Sequence, residues 1–120
     1  MAVVGTHVTL GESITLNAAD QFTHPVDIGA GAGLVQVAIE FDGSWNGTLT
    51  FQGGVKIDGT YVWDSLLVTD LVDASTGTTT TGGTTTTEIH RVDASGLAVR
   101  VYATTVTAGV AEVTFTIAEG

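Results

Sequence analysis

The side chains that could do chemistry are few and widely spaced. The three histidines are His7, His24 and His90. Their separations fit no metal-binding helix motif such as HExxH, in which two imidazoles share one helical face. Two of them could meet across a sheet, but spacing alone does not pair them. The serines at 13, 44, 65, 75 and 95 include none in Gly-x-Ser-x-Gly, the strained turn that exposes a nucleophile. Ser95 precedes Gly96 in a turn, where serine serves structure. With no cysteine, thiolate nucleophiles, zinc-thiolate sites and disulfides are excluded. The thirteen carboxylates are spread over turns and strand faces rather than set as a converging acid and base. Asp70 and Asp73 flank a threonine-rich stretch and offer oxygen ligands for calcium, but without a recognised loop spacing. Gly29, Gly31 and Gly33 superficially match a dinucleotide fingerprint. That fingerprint opens a helix, whereas the residues that follow here alternate like a strand. The expectation is no enzyme, no cofactor and no metal site, with a minor hydrolase using His90 or Asp93 as the residual catalytic alternative.

Charge narrows the partners. Lys56, Arg91 and Arg100 are the only Lys or Arg residues against thirteen acids, a formal net charge of −10. Three cations cannot neutralise a run of phosphates, so no nucleic acid partner is expected. Arg91 and Arg100 are expected on adjacent strands around the turn at 93–96, each paired with a carboxylate or held for an interface. Residues 1–6 lack a cationic leader region, and no apolar run approaches the roughly 18 residues of a spanning helix. The expectation is therefore no signal peptide and no membrane segment. Trp45, Tyr61 and Trp63 form the most suggestive aromatic group, since exposed rings on a β-sandwich can stack on sugars. Trp45 shares parity with Leu49 and Phe51, however, which turns it toward a core. Trp63 closes a hairpin, where rings pack across strands.

The elements that must position these residues are strands. Twenty-two threonines and sixteen valines dominate the chain; their restricted χ1 disfavours helix and suits a pleated surface. Val35, Val37, Ile39 and Phe41 share one face of a period-two pattern. Trp45, Gly47, Leu49 and Phe51 continue it after the turn cluster Asp42-Gly43-Ser44. Asp58-Gly59 is a hairpin signal, because both positions tolerate positive φ. Tyr61 to Val68 reads as the return strand. Ile89 to Val92, Leu97 to Ala103 and Ala111 to Ile117 follow, the last two separated by the turn Thr107-Ala108-Gly109. His7 to Leu10 and Ser13 to Leu16 read as two shorter strands. About eight short strands imply an all-β, antiparallel β-sandwich or jelly roll with almost no helix. The chain reads as a single domain: an N-terminal arm and glycine-rich loop at 1–33, then a core at 34–120. Within that core, 74–88 is a threonine-rich loop. Positions 76–87 are nine threonines and three glycines, read as a surface loop or hairpin tip.

Trp45-Asn46-Gly47-Thr48-Leu49-Thr50-Phe51-Gln52-Gly53-Gly54, followed by Asp58-Gly59 and Trp63, resembles a pattern of small structural proteins of tailed bacteriophages. There a tryptophan-started strand, a glycine step, an Asp-Gly turn and a second tryptophan follow one another. The run from His90 to Val101 and the turn Thr107-Ala108-Gly109 before a closing strand extend the resemblance, which covers roughly residues 35–120. It implies a non-enzymatic virion β-sandwich and leaves head, tail and fibre open. Together with the small size, the lack of a catalytic constellation and the acid-rich surface, it makes a capsid decoration, or cement, subunit on the outer capsid surface the expected role, with the major capsid protein as partner and a homotrimer as the assembly.

Two contact regions follow for such a subunit. Val3, Val4, Val8, Leu10, Ile14 and Leu16 could add a strand to a neighbour's sheet edge, or form an ordinary first strand of this chain. Gly29, Gly31 and Gly33 give a backbone that can mould to a partner. The alternative function is a carbohydrate-binding or adhesin module on a phage tail, a fibre or a cell surface.

Overall fold

A computed structural model of the chain describes residues 13–23, 26–27, 34–71, 74–81, 87–93 and 98–117. These form two antiparallel sheets. In chain order the strands are β1 (Ser13–Leu16), β2 (Val26–Asp27), β3 (Leu34–Phe41), β4 (Asn46–Ile57), β5 (Thr60–Ser65), β6 (Val68–Asp70), β7 (Thr76–Gly77), β8 (Thr79–Thr80), β9 (Thr87–Asp93), β10 (Ala98–Ala108) and β11 (Ala111–Ile117). One sheet runs β1-β11-β3-β9-β6-β7 and the other β2-β10-β4-β5, with β8 also on β4. No helix among the described residues is long and apolar enough to cross a membrane.

The period-two pattern fixes which face each strand buries. Val35, Val37, Ile39 and Phe41 are all buried, as are Ala111, Val113 and Phe115 on the neighbouring strand. From the opposite sheet come Leu49 and Phe51 of β4 and Val99, Val101 and Ala103 of β10. Together they make one core between the sheets. Burying each large apolar side chain is worth about 1.5–3 kcal/mol, which is what holds the two layers together. The β4–β5 hairpin turns as its residues require: Asp58 and Gly59 have φ of 52° and 83°, and Ile57 pairs with Thr60.

Several expectations change. The stretch read as one return strand is two. β5 lies in one sheet and β6 in the other, because the chain crosses at Leu66, whose N–H donates to the Phe51 carbonyl at 2.9 Å. Residues 76–80 are not a protruding tip: β7 pairs with β6 and β8 with β4, so this piece spans from one sheet to the other. Ser13–Leu16 is a strand as read, an outer one of the six-stranded sheet paired with β11, whereas Val26–Asp27, in the stretch read as a loop, pairs with β10. Finally, Arg91 and Arg100 stand on consecutive strands that belong to opposite sheets. The described residues hold eleven strand segments, more than the eight or so expected, since two-residue pieces carry no readable period; the expected strand His7–Leu10 lies outside the described residues.

Candidate functional site

The outer face of the five-stranded sheet gathers most of the exposed aromatic surface. On β10, Val99 and Val101 point inward, so Arg100 and Tyr102 point out. Residues 20–23 run along β10 as an irregular edge. Asp20 N–H donates to the Ala103 carbonyl at 2.8 Å, Ala103 N–H to the Gln21 carbonyl at 2.8 Å, and Thr23 N–H to the Val101 carbonyl at 3.0 Å. The buried Thr23 hydroxyl takes the Val101 N–H in turn, at 3.0 Å. This pairing sets Phe22 against Tyr102, ring centroids 6.4 Å apart.

From the other side comes Trp63 of β5, the register partner of Gly54. A Cβ at Gly54 would lie 2.7 Å from Trp63 Cε3. The missing side chain is what lets the indole lie flat over β4. Arg100 fills the gap between the two aromatic flanks. Its guanidinium carbon is 4.2 Å from the Trp63 centroid, 4.5 Å from that of Phe22 and 5.8 Å from that of Tyr102. Its Nε–H donates to Gln52 Oε1 at 2.7 Å. A guanidinium carries five N–H donors, and Gln52 is its one hydrogen-bond partner among the described residues. Partial desolvation holds Arg100 below its ordinary pKa, with the nearby Tyr102 opposing the shift. The phenol of Tyr102 donates to Asp20 Oδ1, and that bond raises the Tyr102 pKa above the usual tyrosine range. Lys56 lies over Tyr61 at 5.2 Å on the same face, so two of the three Lys and Arg residues are here.

At the projecting end of the β4–β5 hairpin, Val55, Ile57 and Val62 are 42%, 54% and 54% exposed. Val55 and Val62 are register partners. They follow the inward parity of Leu49 and Phe51, but β4 outruns the facing sheet there and leaves them uncovered.

Leu16 is a core residue, 1% exposed, so its expected role as a partner contact is corrected to a packing one. Ile14 lies on the same strand, paired with Val113 of this chain. Val3, Val4, Val8, Leu10, Gly29, Gly31 and Gly33 lie outside the described residues. Trp45 packs beside the core against Phe41, centroids 5.2 Å apart, and its Nε1–H donates to the Thr81 carbonyl at 3.2 Å. The expected carboxylate partner of Arg100 is replaced by an amide and aromatic rings. Sequence parity alone points Arg100, Tyr102 and Trp63 outward. Their convergence depends on Gly54 and on the irregular edge at Phe22, neither of which carries a periodic signal.

No family model matches the chain, and no curated protein does. Two solved structures share its fold. The SPBc2 prophage-derived protein YomS superposes with a TM-score of 0.61 at 18% identity, over 93% of this chain and 100% of that one. The PBSX exported protein XepA gives 0.59 at 16% identity, over 88% of this chain and 38% of that one. The same sandwich is thus a whole chain in one prophage protein and part of a longer chain in another.

Proposed function

We propose that this protein is a structural subunit of a bacteriophage particle, acting by binding rather than catalysis, with the Arg100 face as its docking surface. The stacked guanidinium carries the reading. Phe22 and Trp63 hold it in place, so little side-chain entropy is lost when its remaining N–H groups meet a carboxylate on a partner. The fold shared with two prophage-encoded proteins supports a phage setting. The finer assignment is a capsid decoration subunit that bridges copies of the major capsid protein on the outer shell. Docking areas of roughly 1,200–2,000 Å², repeated over a lattice, would add to shell strength by avidity. The uncovered apolar residues Val55, Ile57 and Val62 are the natural self-association patch for a homotrimer. The charge of −10 keeps nucleic acid away and repels sister copies until specific contacts form. Sedimenting the purified subunit with separated heads and tails tests the assignment: binding to undecorated heads is expected, and binding to tails alone moves the subunit to the tail.

A glycan-binding module is the second reading. The observation favouring it is the set of four rings, Phe22, Tyr61, Trp63 and Tyr102, around one open face. Glycan-dependent quenching of Trp63 fluorescence, lost in Trp63→Ala, would select it over the first.

A further inference from the structure

A second constellation lies between the sheets, independent of the docking face. Asp70 on β6 is the register partner of His90 on β9, and Glu88 precedes His90 by two residues on the same strand face. One ligand atom from each of the three lies within 4.8 Å of the others. Their surroundings are those of a core. His90 is 5% exposed, pairs in register with Val37, and has the Phe51 ring at 4.7 Å.

Polar groups on an inward face are stable only when satisfied, and the histidine is not. Its Nε2 lies 2.8 Å from Glu88 Oε1, which also takes the Thr80 hydroxyl at 2.6 Å. Its Nδ1 is buried with no hydrogen-bond partner. No protonation state repairs this. If Nε2–H donates to Glu88, the Nδ1 lone pair is stranded. If the proton sits on Nδ1, that N–H is stranded and Nε2 turns a lone pair toward a carboxylate. If both nitrogens are protonated, Nδ1–H is again stranded. A cation on the Nδ1 lone pair resolves the conflict, with Nε2–H still given to Glu88. That is the common arrangement of a metal-bound imidazole steadied by a carboxylate. Asp70 and His90 both line a cleft of about 110 Å³, whose other walls include the hydroxyl-bearing Ser75, Thr76, Thr79 and Thr80.

We propose that Asp70 and His90, with Glu88 as orienting and charge-balancing partner, form a divalent transition-metal site of the Zn²⁺ class. The donor set selects the ion. Imidazole with carboxylate suits first-row metals, whereas calcium and magnesium favour all-oxygen shells. Two carboxylates balance a charge of two. The ion would tie β6 and β9 to the short span that carries Thr80 across to β4.

The test uses the full chain, stripped with a chelator and titrated with ZnSO₄ alone by calorimetry, with Tm followed in parallel. One Zn²⁺ per chain is expected. Tm is expected to rise by at least about 5 °C at a hundredfold excess over Kd, and CaCl₂ should give no response. Asp70→Asn, at a half-buried position, should weaken Zn²⁺ binding at least about tenfold, the usual scale for a lost ligand or its support. His90→Gln should abolish it, with far-ultraviolet circular dichroism reporting whether the variant folds. A wild-type chain that takes up no Zn²⁺ overturns the site. So does unchanged affinity in folded Asp70→Asn, which would place the ion elsewhere. Neither outcome bears on particle binding, which uses the opposite face of the other sheet.

Discussion

The Arg100 guanidinium carbon lies 4.2 Å from the Trp63 ring centroid, although the two residues stand on strands separated by β4. The contact is diagonal: Trp63 pairs with Gly54, and Gly54 with Ala98, two residues before Arg100. It exists because Gly54 places nothing between them. A charge on a sheet face is usually mobile; this one is clamped by rings on both sides.

Removing the clamp should be measurable in the isolated chain. A stacked arginine at a partly open site is worth about 0.5–1 kcal/mol per ring. Arg100→Ala should therefore lower unfolding stability by about 1–2 kcal/mol, read as a lower urea midpoint at unchanged slope. Arg100→Lys should recover only part of that, because an ammonium lacks the planar fork.

Gly54→Ala probes the other half of the contact. Its Cβ would meet Trp63 Cε3 at 2.7 Å and the Val62 carbonyl oxygen at 2.9 Å. The backbone oxygen cannot swing away, so the indole and β5 must shift together. A loss of about 1–3 kcal/mol is expected, the usual scale for overpacking, with a changed Trp63 emission. Gly43→Ala, which would meet nothing within 4 Å, should stay within about 0.5 kcal/mol of the parent.

Tyr102 supplies a pH signature. Its hydrogen bond to Asp20 is the first cause of its raised pKa. A proton held more tightly in the folded state stabilises that state below the ordinary tyrosine pKa of about 10. The contribution is lost as pH rises through the higher folded value. The chain has two tyrosines, so a Tyr61→Phe background isolates Tyr102 in an ultraviolet tyrosinate titration. The midpoint should lie above 10 and fall on adding Asp20→Asn.

The core sets the scale against which these effects are judged. Phe115 and Phe51 are fully buried on facing sheets. Truncating either to alanine should cost about 3–5 kcal/mol, a large share of the 5–15 kcal/mol typical of a domain. Leu67→Ala, at a position 59% exposed, should change the urea midpoint little.

What the sequence revealed follows from where period two is intact. Val35 to Phe41 and Ala111 to Phe115 alternate without interruption, so their buried faces are legible residue by residue. Asp58-Gly59 is legible because positive φ is chemically selective. The threonine stretch is opaque for the opposite reason. Identical residues carry no register, so nothing in Thr76 to Thr80 says that the chain leaves one sheet for the other there. The Asp70–His90 pairing depends on the earlier crossing at Leu66, inside a stretch that reads as one strand, and was hidden with it. Arg100 was legible as outward-facing but not as stacked, since Phe22 reaches it from a segment without alternation. Val55 and Ile57 keep the inward parity yet stand exposed, because parity cannot tell where the opposing sheet ends.

The most direct test of the proposed function is co-sedimentation of the wild-type and Arg100→Ala subunits with undecorated phage heads at matched concentration and salt. Stoichiometric binding of the wild type is predicted, with at least about tenfold weaker binding of the variant, the equivalent of a loss of about 1.4 kcal/mol or more at the contact. Wild-type affinity in a folded Arg100→Ala subunit would contradict the docking face, and a wild-type subunit that binds no phage particle would contradict the structural role itself.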